Sequence, residues 1–275
     1  MVSVNTTKRL GIIAGSGRFP LLVAQEARKQ GCWVVAVAHQ GETSPELEPL
    51  VDEMEWIRVG QIGRMITRFQ QSGVRDVVMA GGIQKTRLFT DVRPDFRALA
   101  LLATLRAKDD DAILRGLAQE LERAGLVVCE STRYLQSLLP EAGPLTKRRP
   151  TAEEQEDIEY GWGVAREIGR LGIGQCIVVK RKVVLAVEAV EGTDEAIRRG
   201  GRLANGGAVV VKVIKPGQDR RFDLPTIGPG TIAAMAEVGA TVVAVEAGGS
   251  LLLDRDVLVK EADRLRIAVV GVAHE

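Results

Sequence analysis

Residues Ala208–Ile232 read AVVVKVIKPGQDRRFDLPTIGPGTI, a β-branched apolar run that opens into a charged loop and then a glycine-rich turn. The unbroken apolar character of Ala208–Val211 predicts a buried parallel strand rather than a half-solvated one. Lys215, Asp219, Arg220, Arg221 and Asp223 crowd the loop, Pro225, Gly228, Pro229 and Gly230 close it, and a helix is expected near Thr231. Loops at the carboxyl ends of parallel strands are where α/β proteins place their ligand chemistry. A carboxylate among cations there suits a phosphorylated or metal-bound substrate, while a solvated turn explains the same charges without function.

Outward from this stretch, Gln175–Lys180 and Val183–Val187 read as two strands around a tight Arg181-Lys182 turn. Next come Glu188, Glu191, Gly192, Thr193 and Asp194, with a helix over 195–203. Thr193 and its neighbours read as a helix cap or as an anion cradle on the helix amides. Glu188 and Glu191 read as metal or water ligands or as ordinary solvated glutamates. Downstream, 241–247 and 267–272 read as strands, 251–253 as a short segment and 257–265 as a helix. Upstream, Thr151 with Glu153 and Glu154 starts a helix that runs to Leu171. Residues 139–150 (LPEAGPLTKRRP) look like a linker, with Lys147-Arg148-Arg149 most cheaply read as its solvation.

The first half repeats the βα theme. Leu10–Ala14 is a short strand, Gly15-Ser16-Gly17 a turn, and 19–30 a helix, the opening of a doubly wound domain. The spacing Gly11, Gly15, Gly17 is neither the dinucleotide fingerprint nor a P-loop. The second strand, 33–38, ends in His39-Gln40-Gly41 without the acidic residue a dinucleotide ribose wants, which counts against a nicotinamide oxidoreductase. Residues 42–55 are acidic and Pro-broken and read as a solvated connection, followed by a strand over 55–59 and a helix over 63–72. The strand 74–80 runs into Gly81-Gly82-Ile83-Gln84-Lys85, where Lys85 reads equally as a phosphate contact or a surface lysine. A helix over 96–107 ends at Lys108, and Asp109, Asp110 and Asp111 precede a second helix over 112–124, so capping explains at least one of them. The strand 126–129 ends in Glu130, Ser131 and Thr132.

With 37 Lys+Arg against 36 Asp+Glu, no basic surface points to nucleic acid. Hydrophobic content is 45% with only 4% aromatic residues, a balance that fits α/β cores. Cys32, Cys129 and Cys176 are expected to be buried thiols, and two histidines make a His-based triad improbable. Neither a signal peptide nor a membrane-spanning run is recognised, so a soluble cytoplasmic protein is expected.

LGIIAGSGRFP (10–20), AGGIQK (80–85), KDDDAILR (108–115), EAVEGTDEAI (188–197) and VVKVIKPGQDRRFDLPTIGPGTI (210–232) occur in a distinctive order. Together they resemble the LpxI family, the UDP-2,3-diacylglucosamine pyrophosphatases of lipid A synthesis, across nearly the whole chain. The resemblance implies hydrolysis to UMP and 2,3-diacylglucosamine 1-phosphate with a divalent cation, usually Mg²⁺, and a dimer with peripheral contact at the inner membrane. It implies a Rossmann-like doubly wound N-terminal domain (1–138), a linker (139–150) and a mixed α/β catalytic domain (151–275). It implies that the essential carboxylate, offered also as a metal ligand, is Asp223, with substrate contacts at Gly15, Ser16, Gly17, Lys85, Asp110, Thr132, Glu191, Thr193 and Lys212. A non-catalytic nucleotide-sugar or phospholipid sensor is the competing reading.

Overall fold

The computed structural model describes residues 8–83, 94–104, 110–222 and 224–273. The chain forms two units, Met1–Leu135 with Arg220–Phe222, and Gln136–Asp219 with Asp223–Glu275.

The first unit is built on five strands: β1 (Arg9–Ala14), β2 (Trp33–His39), β3 (Glu53–Ile57), β4 (Asp76–Ala80) and β5 (Val127–Val128). They pair in the order β3-β2-β1-β4-β5, and every pairing is parallel. Parallel strands need crossover connections, which the helices α1 (Phe19–Lys29), α2 (Ile62–Gln71), α3 (Phe96–Thr104) and α4 (Asp110–Arg123) supply, with a 3₁₀ helix at Pro45–Leu50 between β2 and β3. Alternation sends Ile13, Val35, Val37, Val77 and Met79 to one face, where Met65 and Phe69 of α2, Leu101 of α3 and Leu121 of α4 cover them. α1 packs on the sheet through its buried Val23, Ala24 and Ala27. Phe222 also packs against the first cluster, and Arg221 pairs with Glu122 of α4 at 2.9 Å.

The second unit carries β6 (Gly143–Pro144), α5 (Ala152–Arg170), β7 (Cys176–Lys180), β8 (Val183–Val187), α6 (Thr193–Ala204) and β9 (Val209–Lys212). β10 (Thr226–Ile227), α7 (Pro229–Glu237), β11 (Val242–Glu246), β12 (Leu251–Leu252), α8 (Arg255–Arg264) and β13 (Ala268–Val272) complete it. Its main sheet has the order β6-β13-β11-β9-β7-β8, with β9, β11 and β13 parallel and the rest antiparallel. Val209 and Val211 face α5 while Val210 faces α6, α7 and α8, which is why this strand is apolar at every position. The Arg181-Lys182 turn takes φ of 51° and 58°, the left-handed pair that a two-residue hairpin requires.

Four expectations change. The stretch expected as a linker supplies β6, whose Pro144 and Gly143 pair with Val270 and Gly271 of β13. Arg148 is not linker solvation: its guanidinium grips both oxygens of Glu154 at 2.7 and 2.9 Å. Glu154 also accepts from Thr241 Oγ1 and closes a capping box with Thr151. Burial pushes the Glu154 carboxyl upward, but the bonds from Arg148, Thr241 and the Thr151 amide outweigh it and leave it below the usual range. Within 42–55, Thr43 and Leu47 are buried, because Thr43 Oγ1 donates to Ala14 O at 2.6 Å and accepts from the His39 amide. The third strand begins at Glu53, two residues early, since Asp52 is already tied to the Val34 amide at 2.7 Å.

Candidate functional site

In the first unit, the Gly15-Ser16-Gly17 turn meets Gly81-Gly82 at the carboxyl ends of β1 and β4. The Gly15 amide donates to Ala80 O at 2.8 Å and the Ser16 amide to Gly82 O at 2.7 Å. Ser16 Oγ donates to the same Gly82 carbonyl at 2.9 Å. Two of the amides expected to meet an anion are thus spent on tying two loops together. A Cβ at Gly15 would lie 2.4 Å from Gly82 O and 2.8 Å from Gly81 C, backbone atoms that cannot swing aside. Gly15→Ala is therefore expected to destabilise the first unit by about 2–3 kcal/mol, read as a lower denaturant midpoint at unchanged slope. A midpoint within error of the parent's would refute the close approach. Thr132 lies just past β5, buried, with Oγ1 donating to Glu130 Oε2 at 3.2 Å. Asp110 opens α4. Lys85 and Asp223 lie outside the described residues.

The second unit has a cleft of about 450 Å³ at one end of its sheet. β8 and β9 both run antiparallel to β7, so their carboxyl ends fall on the same edge. The loop after β8 leads into α6, and the loop after β9 leads to α7. Both helices open on the cleft, with Gly192 and Gly228 at their N-caps and no side chain capping either. The N-terminus of α6 carries orphan N–H groups, whereas α7 begins at Pro229, which has none, and its Thr231 amide donates to Gly228 O at 3.0 Å, which leaves the Gly230 amide. Both helix starts thus face the cleft, where Asp194 and Glu195 of the first turn of α6 also lie.

Lys212 ends β9 on the α6 side, in register with Val210, and is only 5% exposed. Its Nζ donates to Thr193 Oγ1 at 2.9 Å and to Thr226 O at 2.8 Å. Thr193 Oγ1 in turn donates to Glu188 Oε1 at 2.7 Å, and Glu188 Oε2 accepts from the Gln175 amide at 3.3 Å. A buried ammonium needs compensation, which the Glu188 carboxylate provides one hydroxyl away. Beneath it Cys176 is fully buried, and burial pushes its thiol up to about 12, which keeps it protonated. Glu191 turns inward on its own loop: its carboxylate accepts from the Ala189 amide at 3.1 Å and from Arg199 at 2.7 Å. Its own backbone amide first, and then Arg199, hold its carboxyl below the ordinary range.

Three of the expected site residues, Glu191, Thr193 and Lys212, thus line one cleft. The same cleft is lined by Asp194, Thr226, Gly228 and Thr231, which the sequence did not single out as site residues. The signal was present: Gly192-Thr193 and Gly228-Pro229-Gly230-Thr231 are both glycine turns that open helices. Among the described residues no cluster of three or more His, Cys, Asp or Glu could hold a metal. Mg²⁺ needs only one or two carboxylates when phosphates supply the rest. Asp194 is a carboxylate that lines the cleft.

The family model for the LpxI N-terminal domain matches residues 9–138, and that for the LpxI C-terminal domain matches 141–270. The chain belongs to the LpxI family. It is 35% identical over 278 residues to UDP-2,3-diacylglucosamine pyrophosphatase LpxI of Caulobacter vibrioides, covering 96% of this chain and 98% of that one. A shorter likeness, 30% over 136 residues, joins 47% of this LpxI-family chain to 23% of the bifunctional purine biosynthesis protein PurH of Bacillus subtilis. Among solved structures, the biotin carboxylase domain of a thermophilic 2-oxoglutarate carboxylase aligns over 70% of this chain and 32% of its own. With 16% identity and a TM-score of 0.28, that alignment carries no argument.

Proposed function

We propose that this LpxI-family protein hydrolyses the diphosphate of UDP-2,3-diacylglucosamine, releasing UMP and 2,3-diacylglucosamine 1-phosphate. The observation that carries the reading is the cleft in which two uncapped helix N-termini and the buried Lys212 ammonium face one space. A diphosphate repels nucleophiles because its oxygens are already anionic, so the site must neutralise charge before water can attack. The amides of α6 and α7 bind phosphate oxygens, Lys212 balances their charge, and Thr193 holds the lysine in place. Asp223 is the carboxylate that orients the attacking water, holds the metal, or does both. Mg²⁺, held by Asp223 with Asp194, would polarise the phosphoryl group and lower the pKa of a bound water.

We read the first unit as a Rossmann-like doubly wound domain that binds substrate, on the strength of its parallel β3-β2-β1-β4-β5 order. In that reading Gly15, Ser16, Gly17, Lys85, Asp110 and Thr132 serve the nucleotide or sugar. The second unit is the catalytic domain, and the protein works as a homodimer in the cytoplasm with peripheral contact at the inner membrane. No helix among the described residues is long and apolar enough to cross a membrane.

The test is product analysis with detergent-dispersed UDP-2,3-diacylglucosamine. UMP and the lipid 1-phosphate are expected in equal amounts, lost in EDTA and restored by Mg²⁺. Release of UDP, or no turnover under any metal condition, would sink the reading, and full activity in EDTA would remove the metal from it.

A further inference from the structure

Lys212, Cys176 and Glu188 stand in one row across three strands. Cys176 of β7 pairs with Lys212 of β9, and the Glu188 amide donates to Cys176 O at 2.8 Å, which continues the pairing of β7 with β8 by one residue. Residues directly opposite each other share a sheet face, so both charged side chains rise on the α6 side with the small cysteine between them. Two strand spacings, about 10 Å, separate their backbones. Thr193, the first residue of α6, bridges them: its Oγ1 lies 2.9 Å from Lys212 Nζ and 2.7 Å from Glu188 Oε1.

The directions of these bonds follow from the groups. An ammonium only donates and an ionised carboxylate only accepts. Thr193 Oγ1 therefore accepts from Lys212 and spends its single proton on Glu188, which keeps a lone pair of the hydroxyl turned to the lysine. Thr193 Oγ1 and Thr226 O take two of the three lysine N–H groups, and the third has no partner among the described residues. Lys212 lines the cleft, so this third N–H is the one left for a ligand there. Glu188 does not line the cleft and is 7% exposed. It is firmly seated: Oε2 accepts from the Gln175 amide at 3.3 Å, and the chain entering β7 passes so close that a Cβ on Gly174 would run into Glu188 O.

We propose that Glu188 is a positioning residue for this site, acting through Thr193 to hold the Lys212 ammonium with one N–H turned to the diphosphate. This rests on the reading above, in which a diphosphate occupies the cleft. Two effects of the carboxylate compete, and their signs separate them. As a bare negative charge near an anion, Glu188 repels the ligand, and its removal would tighten binding. As the acceptor that orients Thr193, it preorganises a charge-assisted contact, and its removal loosens binding. The second effect dominates here because the carboxylate stands behind the hydroxyl and the ammonium, which face the ligand first.

The experiment is calorimetric titration of the full chain with inorganic pyrophosphate, beside kcat/KM for UMP release. Glu188→Met removes the charge and the acceptor at similar length, while Glu188→Gln keeps an acceptor for the Thr193 proton. Glu188→Met is expected to weaken pyrophosphate binding and to lower kcat/KM, each by about tenfold, and Glu188→Gln to recover most of both. In a Lys212→Met background, Glu188→Met should change either quantity by less than about twofold, because a residue that acts through the lysine has nothing left to act on. Tighter binding by Glu188→Met, no recovery in Glu188→Gln, or the same loss in both lysine backgrounds would overturn the proposal. Thr193→Val cuts the chain at its middle link and is held to the same outcomes if Glu188→Met does not fold. If the parent releases UMP and Lys212→Met does not, while the Glu188 variants match the parent, only this inference falls. A parent that neither binds pyrophosphate nor releases UMP removes the reading beneath it as well.

Discussion

Asp223→Ala is expected to lower turnover by about a thousandfold, on the order of 4 kcal/mol of transition-state stabilisation, with little change in stability. The loop that carries it contains Asp219, Arg220 and Arg221, so removing one carboxylate from such a charged segment should shift folding by about 1 kcal/mol or less. Binding of substrate should persist, because Lys212 and the amides of α6 and α7 remain. Asp223→Asn keeps the shape without the charge and should be almost as inactive. Asp219→Ala is the control that shares the loop but not the family's essential position. If Asp219→Ala abolishes turnover while Asp223→Ala retains most of it, the assignment is wrong.

Lys212→Met should have the second largest effect. The methionine keeps most of the apolar stem but removes the charge and both hydrogen bonds, to Thr193 Oγ1 and Thr226 O. It also leaves the buried Glu188 carboxylate without its nearby cation, so stability should fall by about 1–3 kcal/mol. In the folded fraction, kcat/KM should drop by about a hundredfold, because a site for a diphosphate loses its buried charge. A variant that loses only stability, with kcat/KM unchanged in the folded protein, would reduce Lys212 to a structural ion.

The second sheet was legible where local pattern decides structure. The run Ala208–Val211 announced a strand covered on both faces, and the structure covers it with α5 on one side and α6, α7 and α8 on the other. Its parallel character held only toward β11, because β7 pairs with it antiparallel; a covered strand is apolar whichever way its neighbours run. β10 was not legible. Two residues show no periodicity, and Thr226–Ile227 become a strand only because Leu251–Leu252 lie alongside.

The candidate site divides the same way. Thr193 and Lys212 were visible as residue types at a helix start and a strand end, but their 2.9 Å contact spans nineteen positions and depends on β8 and β9 ending together. Glu191, expected as a substrate contact, lines the cleft, yet its carboxylate is occupied by the Ala189 amide and Arg199, which charge and spacing alone do not reveal. Gly15 shows the converse. Its position in a glycine turn suggested an anion site, whereas the observed reason for a glycine is the approach of Gly82 O. Arg221, one of the cations of the charged loop, pairs with Glu122, a partner ninety-nine positions away that no local pattern reveals.

The most direct test of the central claim, that the cleft between the N-termini of α6 and α7 holds the diphosphate, is affinity measured without turnover. Titration calorimetry would compare UDP-2,3-diacylglucosamine binding to Asp223→Asn and to Asp223→Asn with Lys212→Met. The first variant should bind tightly, and the second should bind at least about thirtyfold more weakly, the loss expected when a charge-assisted contact to phosphate is removed. Equal affinity in the two variants would contradict the account and move the diphosphate elsewhere on the chain.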